Sequence, residues 1–318
     1  LELLELSKIP NSIERTKRTQ AYLRSLPPYP EPLPWLARGT PNRNTLPPKE
    51  PTPPPAPVLV LTPKQKIDLA PSIPTDDDLT DPIKERLYAQ LPDATQRLVR
   101  AGNQFPQIAG VANALRDLTA VPFSEANILN IHLQLAVLTD VLAFDPDQPV
   151  AERLDADCKA AVVAVVRLLP PITMGHPDID LLEQRNAEYA RSKRAATVVE
   201  GERRVAGGLA EDENVATDQA RAAAEIVAAA GDTGRVADFR TDFSRRIVMQ
   251  LSIVVGALEG AVIGFVPGIA VGHAVNFLWL HRDAIMAMAV GWGESGWAWA
   301  DYILLRVKQM RDDALKVE

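Results

Sequence analysis

The run IVMQLSIVVGALEGAVIGFVPGIAVGHAVNFLWL, residues 247–280, repeats glycine at every fourth position: Gly256, Gly260, Gly264, Gly268 and Gly272. Each glycine inside a helix costs roughly 1 kcal/mol against alanine, so several in register need an offsetting gain that only a missing side chain permits. Close approach of helix backbones is that gain, and the small-xxx-small spacing is its sequence form. Four residues advance about 400° on a 3.6-residue helix, so the glycines trace a slowly drifting stripe.

The same run carries one formal charge, Glu259, and one proline, Pro267. Proline removes a hydrogen bond to the preceding turn and clashes with the carbonyl of Ile263, which predicts a kink or reversal there. Gly268 to Leu280 then forms the second arm of a hairpin. Arg245 and Arg246 precede the run, Arg282 follows it, Trp279 lies at its edge, and Trp292, Trp297 and Trp299 stand in the next segment. Cationic and tryptophan flanks suit a membrane interface. A carboxylate near the middle of a span costs on the order of 3 kcal/mol, so insertion calls for copies that pack along the glycines and enclose Glu259. The contrasting reading is a buried hairpin whose tryptophans fill the surrounding core.

Outside this run the chain reads as all-α. Aromatic residues make up only 5% of the 318 residues, too few for the Val/Thr/Tyr alternation of strands. Of 27 prolines, 18 precede residue 83, eight lie between Pro92 and Pro177, and only Pro267 follows, so the prolines mark the boundaries. Four parts result: a basic proline-rich arm with a short helix at Ser12–Leu26 (1–80), a helical bundle (81–177), long polar and alanine-rich helices (178–246), and the glycine-rich hairpin with a tryptophan-rich amphipathic helix (247–318).

Helical spacing within the bundle predicts a helix opened by Asp81-Pro82, then helices over 106–118, 124–144 and 150–169. The apolar stretch Ile128–Leu142 is the candidate bundle centre. After Pro170-Pro171 and Gly175-His176-Pro177, a polar helix is expected from Asp178 to Ala206, ended by Gly207-Gly208. An alanine-rich helix is expected at Thr217–Ala230.

The arm favours extended polyproline II backbone and cannot build a core. Pro51, Pro54 and Pro57 supply PxxP spacings that suit an aromatic-lined groove on a protein partner. Trp35 and the run Val58–Leu61 predict that parts of the arm are pinned to the folded body. Charge is divided: residues 1–66 carry ten Lys/Arg against five Asp/Glu, and the rest 24 against 36. A basic arm precedes an acidic body, onto which it can fold back. Ten cations spread over 66 residues form no dense patch, so nucleic-acid binding is not expected.

Chemistry is thinly represented. Cys158 is the one cysteine, which excludes an internal disulfide and reads as a buried structural thiol. His132 reads as a satisfied polar group at a core edge. His176-Pro177-Asp178-Ile179-Asp180 puts an imidazole near two carboxylates, which already serve the N-terminus of a helix. Gly291-Trp292-Gly293-Glu294-Ser295-Gly296 spells G-x-G-x-x-G without the strands a dinucleotide fold requires. His281-Arg282-Asp283 lacks every other kinase element.

No enzyme activity, cofactor, metal or small-molecule substrate is therefore expected. Nor does the start of the chain carry a secretion signal, so the expected location is cytoplasmic or membrane-associated. The function predicted is that of a non-enzymatic, membrane-associated or membrane-active protein. It would oligomerise through Gly256, Gly260, Gly264, Gly268 and Gly272, with Glu259, Pro267 and Trp279 at the same interface. The alternative is a soluble helical scaffold whose proline-rich arm straps onto a protein partner and whose hairpin is buried core.

Overall fold

Residues 58–191, 195–256 and 268–316 are described in the computed structural model. The fold is all-α apart from one small hairpin. Strands β1 (Leu59–Leu61) and β2 (Ile67–Leu69) pair antiparallel, with Leu59 opposite Leu69 and Leu61 opposite Ile67. Gln65 takes φ +60° in the connection. Val58 and Leu59 are fully buried, so the expected pinning of Val58–Leu61 is realised as a strand. It is held by the carbonyl of Leu59, which accepts from Arg246 Nε (3.0 Å) and Gln250 Nε2 (2.8 Å).

Local capping chemistry starts several of the helices that follow. Thr75 and Asp78 close a capping box on α1 (Asp76–Thr80), and Asp81 caps α2 (Pro82–Tyr88), where proline sits in the first turn. Next come α3 (Leu91–Gly102) and α4 (Pro106–Leu118), the latter with the bounds its sequence predicts. The helix expected from Ser124 begins later. Phe123–Glu125 form a 3₁₀ turn, and Asn127 accepts from the amide of Asn130 (3.0 Å) to start α5 (Ile128–Phe144). Val150–Glu152 is likewise a 3₁₀ turn, and Asp155 caps α6 (Ala156–Thr173) through the amide of Cys158 (2.7 Å).

Pro170 and Pro171 do not end α6, which continues to Thr173; the amide of Met174 donates to the Pro170 carbonyl at 2.8 Å. The polar region holds α7 (Pro177–Arg191) and α8 (Ala196–Glu211). Gly207 and Gly208, expected as a helix end, lie inside α8. Thr217 caps α9 (Asp218–Ala229), and α10 (Arg235–Val254) follows Gly234 at φ +111°. Helices α11 (Gly268–Leu280), α12 (Arg282–Ala289) and α13 (Gly293–Lys316) complete the described chain.

Helices α2 to α6 pack as one group, with α5 between α4 and α6. α10 packs against α5, α7, α8, α9, α11 and β1, so α10 rather than α5 joins the two halves. One continuous apolar core runs from Val58 to Val307. The predicted boundary at 246/247 falls in the middle of α10.

Within α10 a polar seam is buried as deeply as the apolar face. Arg240 and Asp242 are fully enclosed. Arg240 Nε lies 3.6 Å from Glu202 Oε2 of α8, Thr241 Oγ1 donates to Glu202 Oε1 (2.9 Å), and Ser244 Oγ donates to the Glu202 carbonyl (3.0 Å). Charges taken this far from water persist only when matched in this way.

Helices α8 and α12 meet almost backbone to backbone. A Cβ on Gly201 would stand 2.5 Å from the Ala284 carbonyl oxygen and 2.9 Å from the Met288 amide nitrogen. On Gly208 it would run into the His281 imidazole. Close approach of helix backbones is thus seen at Gly201 of α8.

Candidate functional site

An open groove of about 1270 Å³ runs between α4, α5 and α9, lined also by the end loop 230–236 that joins α9 to α10 and by residues 144–152. Asn127 and Thr217 set the starts of α5 and α9, which fixes these two walls. Asp140 of α5 secures the end loop by accepting from the amides of Arg235 (2.8 Å) and Val236 (2.9 Å), the first free N–H groups of α10. The turn leading there needs glycine at 234, because φ is positive and a Cβ would press on the Asp140 carboxylate.

The floor is apolar: Val111, Leu118, Val137, Val141 and Ile226 line it, and Phe144 projects 37% exposed. Gly110 faces it with nothing within 4 Å of where a Cβ would sit. The polar lining has one sign. Asp117, Asp140, Asp145, Glu152 and Glu225 contribute carboxylates, six side-chain amides accompany them, and no Lys, Arg or His lies among the lining residues.

Two of these carboxylates have cationic neighbours outside the lining. Arg116 stands 2.9 Å from Asp117, and Lys159 lies 2.9 Å from Asp145. The Leu154 amide donates to Asp145, and that bond together with Lys159 holds its carboxyl below the ordinary range. Glu152 and Glu225 are exposed. The groove exceeds the usual few hundred to 1,000 Å³ of a small-molecule pocket, and its acidic, apolar-floored form suits a peptide helix.

Behind one wall, His132 Nε2 lies 2.7 Å from Glu183 Oε1, and Arg235 Nη2 donates to the same oxygen (2.5 Å). His132 is therefore a polar group at a core edge, as expected, but only half satisfied: Nε2 meets a carboxylate from α7 that sequence spacing could not reveal, while the buried Nδ1 has no hydrogen-bond partner among the described residues. The His132 hydrogen bond, then the Arg235 charge, hold Glu183 below its ordinary pKa against the opposing effect of burial. A depressed folded-state pKa stabilises the fold above the unfolded value, near 4.5, and the gain disappears as pH falls through the folded value. Glu183→Gln should lose no more than about 1 kcal/mol at pH 7, since water screens a carboxylate that is more than a third exposed. The variant and parent should converge as pH falls through the lowered folded-state pKa, as read by urea unfolding across pH. A constant difference at all pH values would remove the assignment.

Other candidate chemistry is used structurally. The Asp178 amide donates to His176 Nδ1 (3.3 Å) while Nε2 faces the Ile73 carbonyl (3.0 Å), so the ring proton sits on Nε2. Ser72 Oγ donates to Asp178 Oδ2 (2.8 Å) rather than to the ring. These residues tie the hairpin side of the chain to the start of α7. Burial, with Asp155 and Asp145 nearby, pushes the Cys158 thiol up to about 11. No group of three or more metal-ligating side chains converges among the described residues.

The glycine ladder is divided in the structure. Gly256 is not in a helix: at φ +65° it stands in the turn that ends α10. Gly268 opens α11, and Gly272 is buried within it. Trp279 is buried between two guanidinium groups, Arg282 at 5.0 Å and Arg311 at 4.5 Å from its ring centroid. Gly260, Gly264, Glu259 and Pro267 lie outside the described residues, as do Ser12–Leu26, Trp35 and the PxxP positions Pro51, Pro54 and Pro57. One described stretch, Ile128–Asp147, is long and apolar enough to cross a membrane, and over half of it is buried in the core.

No signal in the sequence marked the groove, because its lining comes from three helices and two loops. The spaced acids Asp117, Asp140 and Glu225 were visible singly. Comparison with family models, curated proteins and solved structures finds no match to this chain.

Proposed function

We propose that this chain is a non-enzymatic helical interaction protein that binds a basic amphipathic helix in the groove between α4, α5 and α9. The observation that carries this reading is the groove's lining: an apolar floor with five carboxylates and no cation. Such a surface offers apolar contact to one face of a helix and Coulomb attraction to the Lys and Arg beside it. The engaged nitrogens of His176 and the raised pKa of Cys158 support a binding role over a catalytic one.

A synthetic Leu/Lys helix of about five turns, titrated against the full chain by fluorescence anisotropy, tests the reading. Saturable binding is expected that weakens with salt. A Cβ at Gly110 would meet nothing within 4 Å, so Gly110→Trp projects bulk into the groove and should weaken that binding by at least roughly tenfold, or about 1.4 kcal/mol. Binding that ignores Gly110→Trp would place the site elsewhere.

The membrane-active form expected from the glycine ladder draws its support from sequence, chiefly the apolar run around Glu259. Flotation of the full chain with liposomes tests it. A chain that floats, and loses this on Gly260→Leu with Gly264→Leu, would make the membrane role primary.

A further inference from the structure

The groove reading leaves open which basic helix occupies it first. We propose that the resident occupant is the chain's own segment Ser12–Leu26, so that the N-terminal arm covers the binding surface until a competing basic helix displaces it. The inference rests on the groove being a site for basic helices, and adds the identity of one ligand.

Charge makes the first argument. Segment 12–26 carries Arg15, Lys17, Arg18 and Arg24 against Glu14 alone, in a chain whose remainder beyond residue 66 has twelve more acids than bases. Its apolar residues make the second. Tyr22, Leu23 and Leu26 stand at i, i+1 and i+4, a one-turn cluster on one side of a helix. The groove presents the counterparts, with Phe144 and Ile226 on its floor and Glu225 and Glu152 at its rim.

Connectivity makes the third. The described chain begins at Val58, whose carbonyl accepts from the Ala70 amide (3.0 Å). The Ala70 carbonyl in turn faces Asn127, the cap of α5 (3.4 Å). On the other side of the hairpin, Asp68 accepts from Thr217 Oγ1, the cap of α9. The arm therefore leaves the body beside the starts of the two helices that wall the groove. Residues 27–57 separate Leu26 from that point, and an extended polyproline II chain covers about 3.1 Å per residue, roughly 95 Å in all. Reach does not limit docking.

The test uses the full chain and the same Leu/Lys helix as probe. Tyr22→Ser, Leu23→Ser and Leu26→Ser together remove the apolar anchors without changing charge. This triple variant should bind the probe roughly tenfold more tightly than the parent, because the groove is vacated. Adding Gly110→Trp should abolish the gain. If parent and triple variant bind the probe equally, the arm does not occupy the groove, and the groove reading survives alone. Absence of probe binding to both chains overturns both readings. A gain that persists with Gly110→Trp also overturns the arm proposal, since the arm would then be masking another surface.

Discussion

Replacing Gly201 by alanine is expected to destabilise the protein by about 1–3 kcal/mol, although alanine favours a helix by about 1 kcal/mol. The added Cβ meets the Ala284 carbonyl oxygen at 2.5 Å and the Met288 amide nitrogen at 2.9 Å, which are backbone atoms of α12 that no rotamer change can withdraw. Leucine there should cost more than 3 kcal/mol and separate α12 from α8. Gly208→Ala should cost less than Gly201→Ala, because its obstacle is a side chain, the His281 ring, whose centroid lies 4.5 Å from that of Phe277. Gly110→Ala supplies the control in open space and should stabilise by up to about 1 kcal/mol. Urea midpoints of the four variants would rank them; a Gly201→Ala protein as stable as the parent would refute the close packing of α8 on α12.

Removing the charge of Arg240 should be as damaging for a different reason. Its side chain and that of Glu202 are both within 1% of complete burial. Arg240→Met removes the cation 3.6 Å from the enclosed Glu202 carboxylate, and breaking a buried pair costs about 3–5 kcal/mol. Arg240 Nη1 also donates to the carbonyls of Ala230 (3.0 Å) and Gly231 (3.2 Å), so the same substitution should loosen the loop that closes the groove and weaken peptide binding. Combining Arg240→Met with Glu202→Leu should recover much of the stability, because two apolar side chains replace two matched charges. Binding should recover less, since the loop bonds stay lost. A double variant no better than Arg240→Met alone would show that the loop bonds, rather than the ion pair, account for the loss.

Much of the helical architecture was legible because local chemistry decided it. Pro106 and the spacing of Ile108, Val111 and Leu115 define α4, and Thr217 marks the start of α9, without any distant contact. Gly207-Gly208 misled for the opposite reason. Read locally, two glycines end a helix, yet both lie inside α8, and the space a side chain at 208 would take is filled by the His281 ring, some 70 residues later. Pro170-Pro171 was similarly overridden near the end of α6. The hairpin at 59–69 was too short for periodicity to declare, and only the apolar run Val58–Leu61 hinted at it. The groove was less legible still: its lining spans residues 104–236, and acids at helical spacing look the same on a solvated face as on a binding wall.

Because β1 is clamped by Arg246 and Gln250 of α10, the described chain starts from a fixed point on the body, and the arm proposed to dock is covalently joined there. Docking of the arm is then a unimolecular equilibrium, and its effective concentration is on the order of 1 mM for a linker of this kind. An intrinsic dissociation constant of roughly 100 μM, weak for two separate molecules, would keep the groove filled about nine-tenths of the time. A competing helix would see its own dissociation constant raised about tenfold at every protein concentration, so dilution would not open the site.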